Sequence, residues 1–406
     1  MINCCSGRRS SSATLLRRVF VCVCALAATG CLRPYSTSVL DPPNAQFPGI
    51  LSQWNKTTGA DVRVLFVHGI CTHTEESWIT QGWDVVMRGY FASEMMTPKP
   101  VPPVGQVQIV DHEYSIGSNT ISGRFLIWSA LTAADKAKLN FDNPPAYSAA
   151  PGQFTWRRAT LNSDLKSTLL NDCLSDAVIY AGYRGGEIQT DLQNAICAAL
   201  DGTTSNDTCD FPAAYGHGSR RIVIVTESLG SRMVFDALSS LKLEAERKGP
   251  DALAAFDEAV SPITQIYMLA NQLPIFALAR PAPAASIAPV DVTASPTPSM
   301  AAALGMLSEA RKRYRSKHAA GNALSGIEPP LSLVAFTDPN DLLSYRLPPN
   351  DTAIVGADTG VVNVITSNAD SYFGYVENPY PAHTAYSLNP DALRLLFGGS
   401  ARTSPP

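Results

Sequence analysis

The sequence predicts an α/β fold, and three observations carry the prediction. The stretch Arg221-Ile222-Val223-Ile224-Val225-Thr226-Glu227-Ser228-Leu229-Gly230-Ser231-Arg232-Met233-Val234-Phe235-Asp236-Ala237-Leu238 sets four consecutive β-branched apolar residues, a short buried strand, directly before Met233, Val234, Ala237 and Leu238 at helical spacing. Further apolar runs of strand length, within 61–70, 263–269 and 331–336, are separated by stretches of helical periodicity. A chain of 406 residues, 45% hydrophobic and 16% charged, can bury a large core and suits one large α/β domain with insertions or two smaller ones.

From the N-terminus, residues 1–30 read as an export signal: Arg8, Arg9, Arg17 and Arg18 with no acid, an apolar run from Val19 to Ala28, then Ala28-Thr29-Gly30-Cys31. Small residues before a cysteine resemble the lipobox of bacterial lipoproteins, which implies an acylated Cys31 as the new N-terminus. Leu32 in place of aspartate resembles lipoproteins sent to the outer membrane, so the implied location is the bacterial cell envelope, outer-membrane-anchored or periplasmic. An ordinary secretory signal or a single anchor helix is the alternative, although the apolar run is short for a membrane span. Loss of the four arginines takes the net charge from −4 to −8, which excludes a nucleic-acid partner because no basic patch remains.

Cysteine use agrees with export. Of nine, Cys4, Cys5, Cys22 and Cys24 leave with the signal and Cys31 carries lipid, leaving Cys71, Cys173, Cys197 and Cys209. In an oxidising compartment these suggest two disulfides: Cys197 with Cys209, stapling the polar loop between them, and Cys71 with Cys173 by elimination. Four buried free thiols are the alternative. No metal-ligand spacing is present.

The remaining elements follow in order. Residues 31–59, rich in Pro, Ser and Thr up to Gly49, read as a tether to a domain spanning 60–400. Thr72 to Lys99, with Trp78, Trp83 and Tyr90, has helical spacing. Strands follow at Gln106–Tyr114 and Arg124–Trp128, with Gly117 and Gly123 as turn residues. Helical text at Ala133–Leu139, Arg157–Tyr180 and Glu187–Leu200 reads as a cap within 130–215, or as ordinary sheet-covering helices. Residues 281–299 are an Ala/Pro-rich surface excursion. Met300–His318 is a helix whose basic cluster (Arg311, Lys312, Arg313, Arg315, Lys317) is a solvated face or a contact for anionic headgroups. Val361–Thr366 is the last strand, Asp391–Phe397 the last helix, and 401–406 a tail.

Ser228 sits where a sharp strand-to-helix turn exposes a hydroxyl beside a helix N-terminus; the bland alternative is a helix N-cap. The run Thr226-Glu227-Ser228-Leu229-Gly230 resembles the G-x-S-x-G nucleophile elbow of the α/β-hydrolase family, with Thr226 replacing the first glycine. His68-Gly69 after the strand at 61–67 resembles the family's HG turn, which implies backbone N–H groups of Ile70 and Leu229 as the oxyanion hole. Family order then puts the acid after the strand 331–336, in Thr337-Asp338-Pro339-Asn340-Asp341-Leu342-Leu343. Asp341 is preferred because Asp341-Leu342-Leu343-Ser344-Tyr345-Arg346-Leu347-Pro348-Pro349 resembles lipases; Asp338 has the alternative role of capping the turn. His383, the last histidine, in a loop between the final strand and helix, takes the place of the base. His112 falls in a strand, His217 in a polar loop and His318 in a basic helix, while His68 packs beneath the loop and His73 caps or lines the entrance.

The resemblance covers about residues 60–400. It implies a mostly parallel central sheet with helices on both faces and a helical cap insertion, and a serine hydrolase of the carboxylesterase or lipase kind acting on small-molecule or lipid esters through an acyl-enzyme. No cofactor is implied: there is no glycine-rich phosphate loop, and Arg184-Gly185-Gly186 is too short to be one. The rival reading is a catalytically inactive lipoprotein that keeps the scaffold for binding or envelope structure.

Overall fold

Every residue of Val62–Val67, Ile263–Leu269 and Leu331–Thr337 is buried, so each strand must be covered on both faces and paired on both edges. The structure, a computed structural model, describes residues 31–53, 62–91, 99–116, 119–142, 158–212, 221–278, 298–318, 331–348 and 359–400. Residues 1–30, read from the sequence as an export signal, Gly117, His217, most of the 281–299 stretch and residues 401–406 lie outside them.

Nine strands form the main sheet: β1 (Val39–Asp41), β2 (Val62–Val67), β3 (Lys99–Pro100), β4 (Gln108–Ile116), β5 (Asn119–Ile127), β6 (Arg221–Glu227), β7 (Ile263–Leu269), β8 (Leu331–Thr337) and β9 (Thr359–Ile365). Their spatial order is β1-β9-β8-β7-β6-β2-β5-β4-β3. From β9 to β5 all pairings are parallel, and β1, β4 and β3 add antiparallel edges. The class is therefore α/β with a mostly parallel sheet.

The two-residue period of the strands sorts the core into two layers. Leu65, Ile222, Ile224, Met268 and Leu333 face one layer, with α2 (Gly185–Ala199), α3 (Leu229–Lys248) and α5 (Pro298–His318). Val64, Phe66, Val223, Val225 and Val334 face the other, with Glu75–Trp83, α1 (Asp84–Phe91) and α7 (Pro390–Gly398). The helix α4 (Pro250–Val260) packs beside α3 and α5. Among the described residues of the run Thr72–Lys99, helix covers Glu75–Phe91: its first part, Glu75–Trp83, is π-helical, and Lys99 belongs to β3.

Two expectations are corrected. The helix at 187–200 is not a cap: Ile188, Leu192, Ala195 and Ile196 are buried against α3, so α2 covers the sheet, and among the described residues of 130–215 the site's cavity is lined by Asp172 alone. Helical periodicity reveals an apolar face but not what covers it. Residues 31–41 are not a free tether, because they pair along the chain between 363 and 372. The basic cluster of α5 is largely the solvated face that was one reading of it: Lys312, Arg313 and Lys317 are exposed and each pairs with an acid, Lys312 with Glu309 (2.9 Å), Arg313 with Asp257 (2.5 Å) and Lys317 with Glu258, while Arg311 is buried and donates to the Ile263 carbonyl (2.6 Å).

Cys71 is joined to Cys173 and Cys197 to Cys209, the two pairings read from the sequence. Among the described residues no helix is long and apolar enough to cross a membrane.

Candidate active site

Parallel strands end at one edge of the sheet, and four of those ends build the site. Between β6 and α3, Ser228 adopts φ 50° and ψ −120°, a left-handed conformation that a non-glycine residue holds only when its surroundings fix it. They do: its N–H donates to the Leu269 carbonyl (2.7 Å), and its carbonyl accepts from the Ser231 N–H (3.2 Å). Gly230 is required by space, since a Cβ there would lie 2.7 Å from the carbonyl oxygens of Val67 and His68. Thr226, in place of the first glycine of the elbow pattern, is accommodated because its buried hydroxyl bonds Ser231 Oγ (2.8 Å) and the Tyr267 carbonyl (3.2 Å).

His383 does not lie in a loop. It occupies the last turn of a short helix, α6 (Pro379–Thr384), started by an Asn378 cap that accepts from the Tyr380 N–H (3.1 Å) and by Pro379 in the first turn. Its Nε2 is 3.0 Å from Ser228 Oγ, and its Nδ1 is 2.9 Å from each carboxylate oxygen of Asp341. Asp341 also accepts from the Leu343 N–H (2.9 Å) and the Tyr386 hydroxyl (3.0 Å). With both carboxylate oxygens facing Nδ1, the consistent tautomer has Nδ1–H donating to Asp341 and Nε2 open to the serine hydroxyl.

Asp338 is engaged elsewhere. Its oxygens accept the backbone N–H groups of Asn340 (2.9 Å) and Asn368 (2.6 Å), the turn-capping role that was its alternative. Burial pushes its pKa up, partly opposed by those two bonds.

The loop after β2 lies against the elbow: a Cβ on Gly69 would meet Ser228 Cβ at 2.6 Å. Two imidazoles hold its carbonyls, His68 Nδ1 on the Gly69 oxygen (2.8 Å) and His73 Nε2 on the Ile70 oxygen (3.1 Å). In a trans peptide, a Gly69 carbonyl turned to His68 turns the Ile70 N–H the opposite way. The Leu229 N–H opens α3 and has no carbonyl of its own helix to meet. His68 is fully buried, stacked on Trp128 (4.7 Å between ring centres), and its Nε2 accepts the Trp128 N–H (3.0 Å). Burial pushes its pKa well below the usual range and that of His73 to about 4, so both are neutral donors to the loop. Asp176, buried on the far side of the loop, accepts the Cys71 N–H (2.8 Å) and pairs with Lys136 (3.2 Å).

A cavity of about 440 Å³ joins these pieces, lined by Ile70, Cys71, Trp78, Glu227, Ser228 and His383 among others. Glu227, the residue before the serine, receives Trp83 Nε1 (3.0 Å) and Trp78 Nε1 (3.1 Å) on its two oxygens. Burial raises its pKa to about 7, with the two indole bonds and the nearby His383 pulling the other way. Comparison of this chain with protein-family models, with curated proteins and with solved structures gives no match.

The geometry thus brings together Ser228, His383, Asp341, Ile70 and Leu229, and leaves Asp338 apart. Tyr386, Asp176 and the indole pair on Glu227 were missed from the sequence. The one signal for Glu227 was an acid at the end of an otherwise apolar strand; for Tyr386 it was a tyrosine three residues beyond the histidine. One group of metal-ligating residue types, Cys71, Asp172 and Cys173, has both sulfurs in the disulfide. Chemically, the arrangement offers a hydroxyl, an imidazole positioned to take its proton, a carboxylate to stabilise the resulting cation, and backbone donors beside the same cavity.

Proposed function

We propose that this protein is a serine hydrolase of the α/β-hydrolase type that cleaves carboxylic esters, carried into the bacterial envelope as a lipoprotein acylated on Cys31. The observation that carries the reading is the unbroken chain from Ser228 Oγ through His383 to Asp341, with 3.0 Å and 2.9 Å links. In this mechanism Ser228 Oγ attacks the ester carbonyl while His383 Nε2 takes its proton. Ile70 and Leu229 N–H groups receive the developing oxyanion, each contributing on the order of 3 kcal/mol in the transition state. The imidazolium, held by Asp341, protonates the departing alcohol, and the acyl group stays on Ser228. Water then attacks with His383 again as base, releasing the carboxylic acid and restoring the hydroxyl.

The inactive-scaffold alternative rested on Thr226; the two bonds made by that hydroxyl show how a β-branched residue fits at that position, which supports the hydrolase reading. The substrate is a small-molecule or lipid ester. The test is labelling of the mature protein by a fluorophosphonate, mapped by peptide mass, with Ser228→Ala alongside. A mass gain confined to Ser228 is expected. No labelling of the folded protein, with and without detergent, would refute the proposal.

A further inference from the structure

The geometry points to a membrane-docking face built from the hairpin Ser371–Glu377 and the N-terminal strand Cys31–Leu32, which together set the mouth of the cavity against a phospholipid leaflet. The inference rests on the reading of Cys31 as the lipid-bearing N-terminus, and it adds an orientation that tethering alone does not give. A free tether over residues 31–59 would span on the order of 100 Å if extended and leave the domain to tumble. The chain is instead fastened from its first described residue. Cys31 pairs with Tyr372 and Leu32 with Ser371; Arg33 meets Asp370 (2.5 Å), the Tyr35 N–H meets Ser367 Oγ (3.1 Å), Ser38 Oγ meets Thr366 Oγ1 (3.0 Å), and β1 then joins β9. A lipid on Cys31 therefore enters the bilayer beside this hairpin, with no slack between membrane and domain.

The hairpin is dressed for that position. Leu32, Tyr372, Phe373, Tyr375 and Val376 are between 49% and 91% exposed, a concentration of solvent-facing apolar and aromatic side chains around the anchor point. Tyr and Phe are residues that suit the boundary between headgroups and acyl chains. Phe373 has a positive φ of 55°, beside Gly374 at 70°. A bulky residue in that conformation is strained, and a side chain so exposed gains little packing within the fold to offset it. Residues 371–388 contain no Lys or Arg, and the one acid, Glu377, is held by Asn340 Nδ2 (2.6 Å), so the attraction is apolar and needs no anionic lipid. Beyond Glu377 the chain runs through Asn378 directly into α6, whose Tyr380 and His383 line the cavity. Leu388, also lining it, is 72% exposed. Docking of the hairpin thus delivers esters from the lipid phase to Ser228.

The test uses the full, acylated chain in zwitterionic phosphatidylcholine vesicles, with a nitrobenzoxadiazole label on Tyr375→Cys and, as control, on Leu243→Cys, an exposed position of α3. The Tyr375 label is expected to shift to the blue and be quenched severalfold by bromo-acyl lipids while the Leu243 label stays water-like. Equal behaviour of the two labels would overturn the proposal, as would a shift that grows with protein concentration without vesicles, which would mark a second copy as the occupant. A second variant, Phe373→Ser with Tyr375→Ser, changes two outward side chains. It is expected to slow hydrolysis of a bilayer-embedded ester about tenfold, given the apolar area withdrawn from lipid, with a soluble short-chain ester unaffected. Equal loss on both esters would also overturn it. Absent labelling of Ser228 sinks the hydrolase reading but leaves the depth readout intact, and the mass of the N-terminal peptide reports acylation of Cys31 separately.

Discussion

Exchanging either of two neighbouring aspartates for asparagine separates the roles the structure gives them. In Asp341→Asn the amide oxygen can keep the Leu343 N–H that Asp341 Oδ1 now accepts at 2.9 Å, which puts the NH₂ group in the place of Oδ2, 2.9 Å from His383 Nδ1 and 3.0 Å from the Tyr386 hydroxyl. An N–H facing Nδ1 favours the tautomer with the imidazole proton on Nε2, where it points at Ser228 Oγ and blocks proton acceptance. Loss of the correct tautomer costs on the order of 10⁴ in kcat, equivalent to ~5.5 kcal/mol in the barrier. In Asp338→Asn the imidazole is untouched, but one of the Asn340 and Asn368 N–H groups would meet an NH₂ instead of a carboxylate oxygen. That buried mismatch costs about 1–3 kcal/mol of stability, with kcat changed by no more than about threefold. The assay pairs steady-state hydrolysis of p-nitrophenyl acetate with thermal unfolding of both variants. An Asp341→Asn enzyme within about tenfold of wild type, or an Asp338→Asn enzyme slower than it, would refute the assignment of the acid.

Three further outcomes are expected. Because the fold raises Glu227 from 4.5 to about 7, the folded state binds more protons than the unfolded one between those values, so wild-type stability falls as pH rises through that window, by up to ~3 kcal/mol. Glu227→Gln lacks this dependence, and denaturant unfolding at pH 5 and pH 8 should show the gap between the two proteins changing by that amount; a constant gap would argue against a buried titrating carboxyl. Replacing Cys71 and Cys173 by serine opens a bridge of sequence separation 102, against 12 for Cys197–Cys209, and chain entropy predicts losses of about 4–5 and about 3 kcal/mol respectively. Calorimetry that ranks the two pairs the other way would count against this, and only the first pair should also lower kcat, since Cys71 follows the Ile70 donor. Gly230→Ala forces a Cβ to within 2.7 Å of two backbone oxygens and should cost about 2–3 kcal/mol, seen as a lowered unfolding midpoint.

What the sequence made legible was whatever is local. The strands β2, β6, β7 and β8 announce themselves because a strand buried on both faces must be an unbroken apolar run, and the disulfide pairs were few enough to be read from loop length and elimination. The order Ser228, Asp341, His383 was readable through a resemblance, but the choice between Asp341 and Asp338 depended on where Nδ1 points. Contacts between distant residues left no local trace. Nothing near Glu227 tells that Trp78 and Trp83, 149 and 144 residues away, donate to it. Ser and Thr near the N-terminus were read as linker composition, whereas Ser38 spends its hydroxyl on Thr366, 328 residues on. The seat of His383 is a different case: Asn378-Pro379 is a local helix-start signature, and it marks α6 without any tertiary information.

The position of the site follows from topology even without a motif. From β2 the chain crosses to β5 on one side, with α1 against one face; from β6 it proceeds outward through β7, β8 and β9 on the other side, with α3 and α5 against the opposite face. The loops leaving β2 and β6 therefore part in opposite directions above adjacent, parallel strands, and an open crevice must form between their carboxyl ends. Into that crevice the chain sets three non-glycine residues with positive φ, Cys71 at 84°, Ser228 at 50° and Ala270 at 58°, all lining the cavity. Each costs about 1–3 kcal/mol in isolation, and each is held from a neighbouring element: Cys71 by Asp176 and a disulfide, Ser228 by the Leu269 carbonyl, Ala270 by the Phe336 carbonyl at 3.2 Å. Backbone strain concentrated at a switch point, and fixed by adjacent strand ends, is how a rigid sheet holds Ser228 and the loops beside it in one conformation.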